Sequence, residues 1–374
     1  MIRLVMLILL FLVSLLAVFK APAYYLWLLA IAVTEYAMIF ASITAVVTVS
    51  GIWVQKFQLA GTLLGLATLL LFLSPIARAL GIAKDMRHNL TQMLGPSVKL
   101  PAHGSPFGFG KLFRGTNLVS YHTLAYATYP GISLNLDYYP SQIAGAKPCI
   151  VVVHGGSWSS GDSKQLPELN SYLAARGYNV AAINYRMAPK YQNPAPVEDI
   201  KAAMSYLRKH ATELHIDTNN FVLLGRSAGA QIALLTAYTL PEHTFKGVID
   251  FYGPADMVWG YSVPSNPLIM NSRKVMEDYL GGTYGQVPEK YSASSPIEFV
   301  NAKTIPTLII HGENDVLVSP HHSNRLNAKL TQFGVKHFLL KLPWATHGFD
   351  YNLHGPGGQL STYAVETFLN TITQ

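Results

Sequence analysis

The sequence predicts an open, mainly parallel β-sheet covered by helices on both faces, at residues 119–374, behind an apolar helical segment at residues 1–81. Three observations predict it. Apolar runs of strand length alternate with helical stretches from Ile150 to Ile372. Of 374 residues, 50% are hydrophobic and only 13% charged, about half the charged share of a soluble domain. That deficit lies almost wholly in the first 81 residues, which are nearly all apolar.

Three apolar stretches open the chain: Leu4 to Phe19, Tyr24 to Val49 and Leu59 to Leu80. A membrane-spanning helix needs about 20 apolar residues, so the second and third are long enough. The first is shorter. It reads as a third span or as the core of a signal peptide, with Ala21-Pro22-Ala23 resembling a cleavage site. Retention is the preferred reading, because Arg3 alone makes a thin basic flank. Three spans predict a multi-pass protein in contact with the lipid bilayer. Arg3 and Lys56 then share one side, and Lys20, Arg78, Lys84 and Arg87 share the other with the large domain, which places that domain on the cytoplasmic side. Glu35, inside the second stretch, is expected to face the helix bundle or bond to Thr34, Ser42 or Thr44.

A linker is expected over 82–118, its second half a Gly- and Pro-rich loop beginning at Pro101. Strands follow at 119–129 and 132–139, joined by the turn Pro130-Gly131. Further strands are expected at 150–154, 180–185, 221–224, 247–251, 307–310 and 337–342, and helices at 166–176, 197–210, 228–238, 320–333 and 360–372. Between Pro254 and Ile297 the alternation breaks for longer than a simple connection needs, which predicts a lid over 254–297.

Composition excludes several roles. The formal net charge is +7, but the basic residues are scattered, so no nucleic-acid surface is expected. The one cysteine, Cys149, permits no intramolecular disulfide or cysteine-based metal site, and its apolar context makes it a buried strand residue.

The chemistry concentrates in four places. Gly225-Arg226-Ser227-Ala228-Gly229 joins a predicted strand to a predicted helix, the setting in which a serine stands exposed on a sharp turn. His154-Gly155-Gly156-Ser157-Trp158 closes an earlier strand. Gly155 or Gly156, together with the Ala228 N–H, is expected to form an oxyanion hole, since glycine leaves backbone donors uncovered. A neutral serine hydroxyl needs a histidine to take its proton and a carboxylate to orient that histidine. His347 lies in a loop after the last strand. His311, by contrast, ends a strand and reads as structural, and His321 and His322 open a helix and read as solvated. Asp315 lies in the loop after the strand 307–310, with Glu313 as its rival. The predicted triad is Ser227, Asp315 and His347.

Together these residues resemble the α/β-hydrolase superfamily, in the chain order serine, acid, histidine. More narrowly, they are similar to the hormone-sensitive-lipase-like and feruloyl-esterase-like carboxylesterases. Gly161-Asp162, Asn184-Tyr-Arg-Met-Ala-Pro189, Pro194-Ala-Pro196 and Glu198-Asp199 add to the likeness, which covers residues 119–374. The oxyanion motif departs from the longer His-Gly-Gly-Gly, and an apolar segment stands where such lipases carry a soluble cap. His-Gly-Gly-x-Trp also resembles kynurenine formamidases and prenylcysteine methylesterases. The resemblance implies an α/β-hydrolase fold and a serine hydrolase that cleaves a carboxylic ester without metal or organic cofactor; the apolar segment, through membrane attachment, adds a lipid-like ester to the small-molecule esters expected as substrate. Amide or formamide hydrolysis by the same triad is the alternative. A catalytically silent, membrane-tethered binding module is a third reading, which an intact triad disfavours.

Overall fold

The computed structural model describes residues 1–53, 56–101 and 104–373. Its sheet runs in the order β1-β2-β4-β3-β5-β6-β7-β8. The strands are β1 (His122–Tyr129), β2 (Ile132–Tyr139), β3 (Lys147–Val153), β4 (Asn179–Ile183), β5 (Ile216–Arg226), β6 (Gly247–Phe251), β7 (Thr307–Gly312) and β8 (His337–Leu342). The β1–β2 and β2–β4 pairings are antiparallel, and every pairing from β4 through β3 to β8 is parallel. Every residue of β4, β6 and β7 is buried, as befits parallel strands covered on both faces. Chain order reverses at β3, between β4 and β5, so a crevice opens at the C-terminal ends of these strands.

The helices are α1 (Ile2–Ser14), α2 (Tyr24–Glu35), α3 (Ala37–Val49), α4 (Gln58–Leu94), α5 (Pro167–Ala174), α6 (Ala195–Lys209), α7 (Ala228–Thr239), α8 (Met257–Ser262), α9 (Ser272–Leu280), α10 (Pro288–Ala293), α11 (His321–Gln332) and α12 (Pro356–Ile372). One core joins Val151 and Leu223 of the sheet to Ile200 of α6, Ile232 of α7 and Leu326 of α11. A second joins Val152 and Leu224 to Leu173 of α5, Phe368 of α12 and Leu90 of α4.

The linker expected over 82–118 therefore begins as helix. Met86, Leu90 and Leu94 recur at four-residue spacing on one face of α4 and are buried against the sheet domain. The helix stops at Gly95, whose φ of +96° suits glycine. Of the loop expected after it, residues 102 and 103 lie outside the described residues. The 254–297 region forms α8, α9 and α10 with irregular chain between them.

The N-terminal segment differs from three straight spans. Among the described residues, one helix, α4, is long and apolar enough to cross a membrane alone. The stretch read as a single span from Tyr24 to Val49 is two helices bent by 84° at Tyr36. The break has a physical cause. The Glu35 carbonyl accepts a hydrogen bond from Asn352 Nδ2 (2.8 Å), and its carboxylate accepts one from the Gly357 N–H (2.8 Å) at the start of α12. Glu35 thus caps a helix of the sheet domain, rather than bonding to Thr34, Ser42 or Thr44. Arg3, counted above as a flanking charge, is buried and donates to the carbonyls of Val47 and Thr48 and to Thr62 Oγ1. The charge count that set the orientation loses both Arg3 and its three-span premise.

Glu35→Ala leaves the Gly357 N–H buried without an acceptor and is expected to cost about 1–3 kcal/mol. Glu35→Gln keeps an acceptor and recovers most of that loss. Denaturant unfolding of the full chain measures both.

Candidate active site

Ser227 stands between β5 and α7 with φ 53° and ψ −120°, a conformation a side-chain-bearing residue adopts only where its surroundings enforce it. The flanking glycines show what enforces it. A Cβ on Gly225 would lie 2.4 Å from the Gly229 carbonyl oxygen, and one on Gly229 would lie 2.3 Å from those of Val153 and His154. Both positions must be glycine for strand and helix to meet so closely. The Ser227 N–H donates to the Phe251 carbonyl (2.9 Å), which fixes the turn to β6.

Asp315 and His347 leave the ends of β7 and β8 and meet, with His347 Nδ1 2.7 Å from Asp315 Oδ2. The other carboxylate oxygen accepts from the N–H groups of Leu317 and Val318, both at 2.9 Å. His311 Nε2 lies 3.2 Å from Oδ2. Burial pushes the Asp315 carboxyl up, but the charges and hydrogen bonds of His347 and His311 outweigh it and hold the group well below the usual carboxylate range. His311 is thus a buried partner of Asp315. Ser227 and His347 line one cavity of about 310 Å³. No hydrogen bond joins Ser227 Oγ to His347 Nε2 in this arrangement, and such contacts commonly tighten only around substrate.

The two glycines of the oxyanion motif are not equivalent. The Gly155 N–H donates to Gln165 Oε1 (2.8 Å), so it is engaged. Among the described residues, the N–H groups of Gly156 and of Ala228, the first residue of α7, take no acceptor. Gly156 has φ +123°, and a Cβ there would lie 2.0 Å from the Ser160 carbonyl oxygen. The free donors therefore belong to Gly156 and Ala228, the latter at the positive end of a helix dipole.

A second cavity, of about 430 Å³, also reaches Ser227. Trp158, Ile269, Met270, Val275, Met276 and Leu317 give it an apolar lining. His322 also lines it. The structure buries this residue, against the solvated position expected, and burial lowers its pKa to about 3, so it is neutral at physiological pH. The arrangement supplies a half-buried hydroxyl that opens on two cavities, a carboxylate–imidazole pair and two backbone donors.

Residues 136–330, just over half of the chain, match the BD-FAE family. The chain belongs to the BD-FAE family. Two curated proteins of Mycobacterium tuberculosis are similar to it. One is the "probable carboxylic ester hydrolase LipM", 27% identical over 61% of this chain and 55% of its own. The other is "esterase LipC", 29% identical over 60% of this chain and 58% of its own. The chain spans about half the length of the curated relatives it matches. Among solved structures, a bacterial heroin esterase superposes with a TM-score of 0.59 at 22% identity, covering 71% of this chain and 88% of that one. This likeness establishes the α/β-hydrolase fold.

Several residues that shape this BD-FAE site escaped sequence reasoning. Arg226, beside the serine, pairs with Asp350 (Nε to Oδ2, 2.6 Å), and Tyr252 OH donates to Asp350 Oδ1 (2.5 Å). This buried group ties the His347 loop to the end of β5, while the Tyr252 ring packs 4.3 Å from the His347 ring. Trp158 donates to Gln231 Oε1 (2.9 Å) and stacks on Tyr279 at 4.5 Å, holding the loop that follows β3. The Tyr185 hydroxyl donates to the His154 carbonyl, and Arg186 pairs with Asp199, so the segment that resembles carboxylesterases braces that loop from behind. From the far end of the chain, Trp27 Nε1 donates to the His347 carbonyl (2.9 Å). Arg226 beside the serine, and Trp158, Tyr185, Arg186 and Asp199 within the motifs, were visible in the sequence, but the partners they find were not.

Asp350→Ala leaves the Arg226 guanidinium buried and unpaired and is expected to destabilise the protein by about 3–5 kcal/mol. Denaturant unfolding monitored by intrinsic fluorescence checks this. Gly156→Ala displaces a free donor and is expected to slow covalent labelling of Ser227 by about 10²–10³, read as the rate of reaction with a fluorophosphonate.

Proposed function

We propose that this chain is a membrane-anchored serine hydrolase that cleaves carboxylic esters through an acyl-enzyme on Ser227. The observation that carries the reading is the strained Ser227 elbow opening on the same cavity as the Asp315-paired His347. In the first half-reaction Ser227 Oγ attacks the ester carbonyl carbon while His347 Nε2 takes its proton. The carbonyl oxygen, now negative, accepts from the Gly156 and Ala228 N–H groups. Asp315 holds Nδ1 and stabilises the imidazolium. The C–O bond breaks as His347 returns the proton to the leaving oxygen, and the alcohol departs. Water then attacks the acyl carbon and gives a proton to His347; the bond from the acyl carbon to Ser227 Oγ breaks as His347 returns that proton to Oγ, and the acid departs.

The anchoring rests on an inverted distribution of side chains. In the helices before residue 78 the polar groups Arg3, Ser14, Thr34, Glu35, Thr44 and Thr68 are buried. Large apolar side chains point outward instead, among them Leu59, Leu63, Leu66 and Leu70 along one stripe of α4. A monomer in water rarely exposes so continuous an apolar face, whereas a lipid-facing segment does.

Ser227→Ala is expected to abolish fluorophosphonate labelling, and full labelling in that variant refutes the assignment. Asp315→Asn retains the shape and is expected to lower kcat for a p-nitrophenyl ester by about 10³–10⁴.

A further inference from the structure

We propose that the N-terminal segment is a working wall of the substrate site, and that the cavity it closes takes the acyl chain of a lipophilic ester presented at the membrane surface. This rests on the esterase reading above.

The segment lies across the mouth of the site. Lys20, Ala21 and Pro22 line the larger cavity, and Tyr24 and Trp27 line the smaller. Four hydrogen bonds hold it there. Asn314 Nδ2 donates to the Val18 carbonyl (3.2 Å), Asn266 Nδ2 to the Pro22 carbonyl (3.2 Å), the Tyr24 N–H to the Leu268 carbonyl (3.1 Å), and Trp27 Nε1 to the His347 carbonyl (2.9 Å). Two of these tether the loops that carry Asp315 and His347. The site is incomplete without the segment.

The two cavities are assigned by where the proton must go. His347 returns its proton to the leaving oxygen, so the alcohol lies on the His347 side. That is the smaller cavity, with Tyr24, Trp27, Tyr252 and Tyr351 around it. The acyl group then extends the other way, past Ala228 into the larger apolar cavity, which His347 does not line. Ile269, Met270 and Leu317 line both cavities and stand between them.

The rim shows how such a chain arrives. Phe19, Tyr25 and Leu268 beside the mouth are 62%, 81% and 70% exposed. Together with Lys20 and Tyr24 they form an apolar lip edged by one cation and tyrosines, the composition of a membrane–water interface. An acyl chain passing from lipid over this lip into the cavity exposes little apolar surface to water, which an ester arriving from solution cannot match.

The test uses the full-length protein in detergent micelles, with p-nitrophenyl esters from acetate to decanoate. Wild type is expected to favour the longer chains, and a preference for acetate overturns the proposal. Pro22→Cys places a thiol in the cavity wall; the native cysteine, Cys149, is buried. Labelling that thiol with decyl methanethiosulfonate fills the cavity reversibly. Each methylene held out of an apolar cavity costs about fourfold in kcat/KM. The decanoate-to-acetate ratio of kcat/KM is therefore expected to fall by at least about tenfold and to return on adding dithiothreitol. Ala21→Phe is expected to lower the same ratio without a reagent, with thermal unfolding confirming that it folds. An unchanged ratio after complete labelling, seen by mass, together with an unchanged ratio in Ala21→Phe, overturns the wall assignment while leaving the esterase reading intact. A wild type that hydrolyses no ester overturns both.

Discussion

The site depends on how closely a strand and a helix approach at one serine. β5 and α7 can meet as they do only because positions 225 and 229 lack a Cβ; a methyl group at either would fall within 2.4 Å of backbone. The same closeness forces Ser227 to a positive φ and holds its hydroxyl up from the sheet edge. Everything else in the site is arranged around a point that cannot move. The loop carrying Gly155 and Gly156 follows β3, next to β5, and Asp315 and His347 come from the ends of β7 and β8. A parallel sheet brings these loops to one edge because all its strands end on the same side.

Buried charge is the second organising element. Asp315 is surrounded by four donors, which stabilise its ionised form despite burial. Arg226 and Asp350 neutralise each other beneath the elbow and tie the histidine loop to it. Replacing such a pair by apolar residues often costs little, whereas removing one partner costs much. Its value here lies in register: it fixes two loops that approach from strands β5 and β8, with β6 and β7 between them.

Much of this was legible in the sequence because it follows local rules. Each of the eight strands was marked by an apolar or alternating run, and the glycines around Ser227 and His154 announced tight turns. Sequence periodicity says nothing about partners distant along the chain, and the misreadings all have that origin. β5 begins at Ile216, before the apolar run that marked it, because Asp217, Thr218 and Asn219 are polar at a strand's open end. α4 continues past its apolar half because Met86, Leu90 and Leu94 find the sheet. Hydropathy also carried the stretch from Tyr24 to Val49 through the bend at Tyr36. Only the fold shows that Asn352 and Gly357 claim Glu35 there. Likewise, nothing local distinguishes the Gly155 N–H from that of Gly156 until Gln165 is seen to occupy the first.

The capping of α12 by Glu35 has a consequence for biosynthesis. The carboxylate and the N–H it serves are 322 positions apart. At a synthesis rate of about 5–20 residues per second, the glutamate leaves the ribosome on the order of tens of seconds before its counterpart exists. Throughout that interval the docking surface on the early helices is vacant. Closing the hydrolase fold is thus a late event, in which a later part of the polypeptide seats onto a much earlier one.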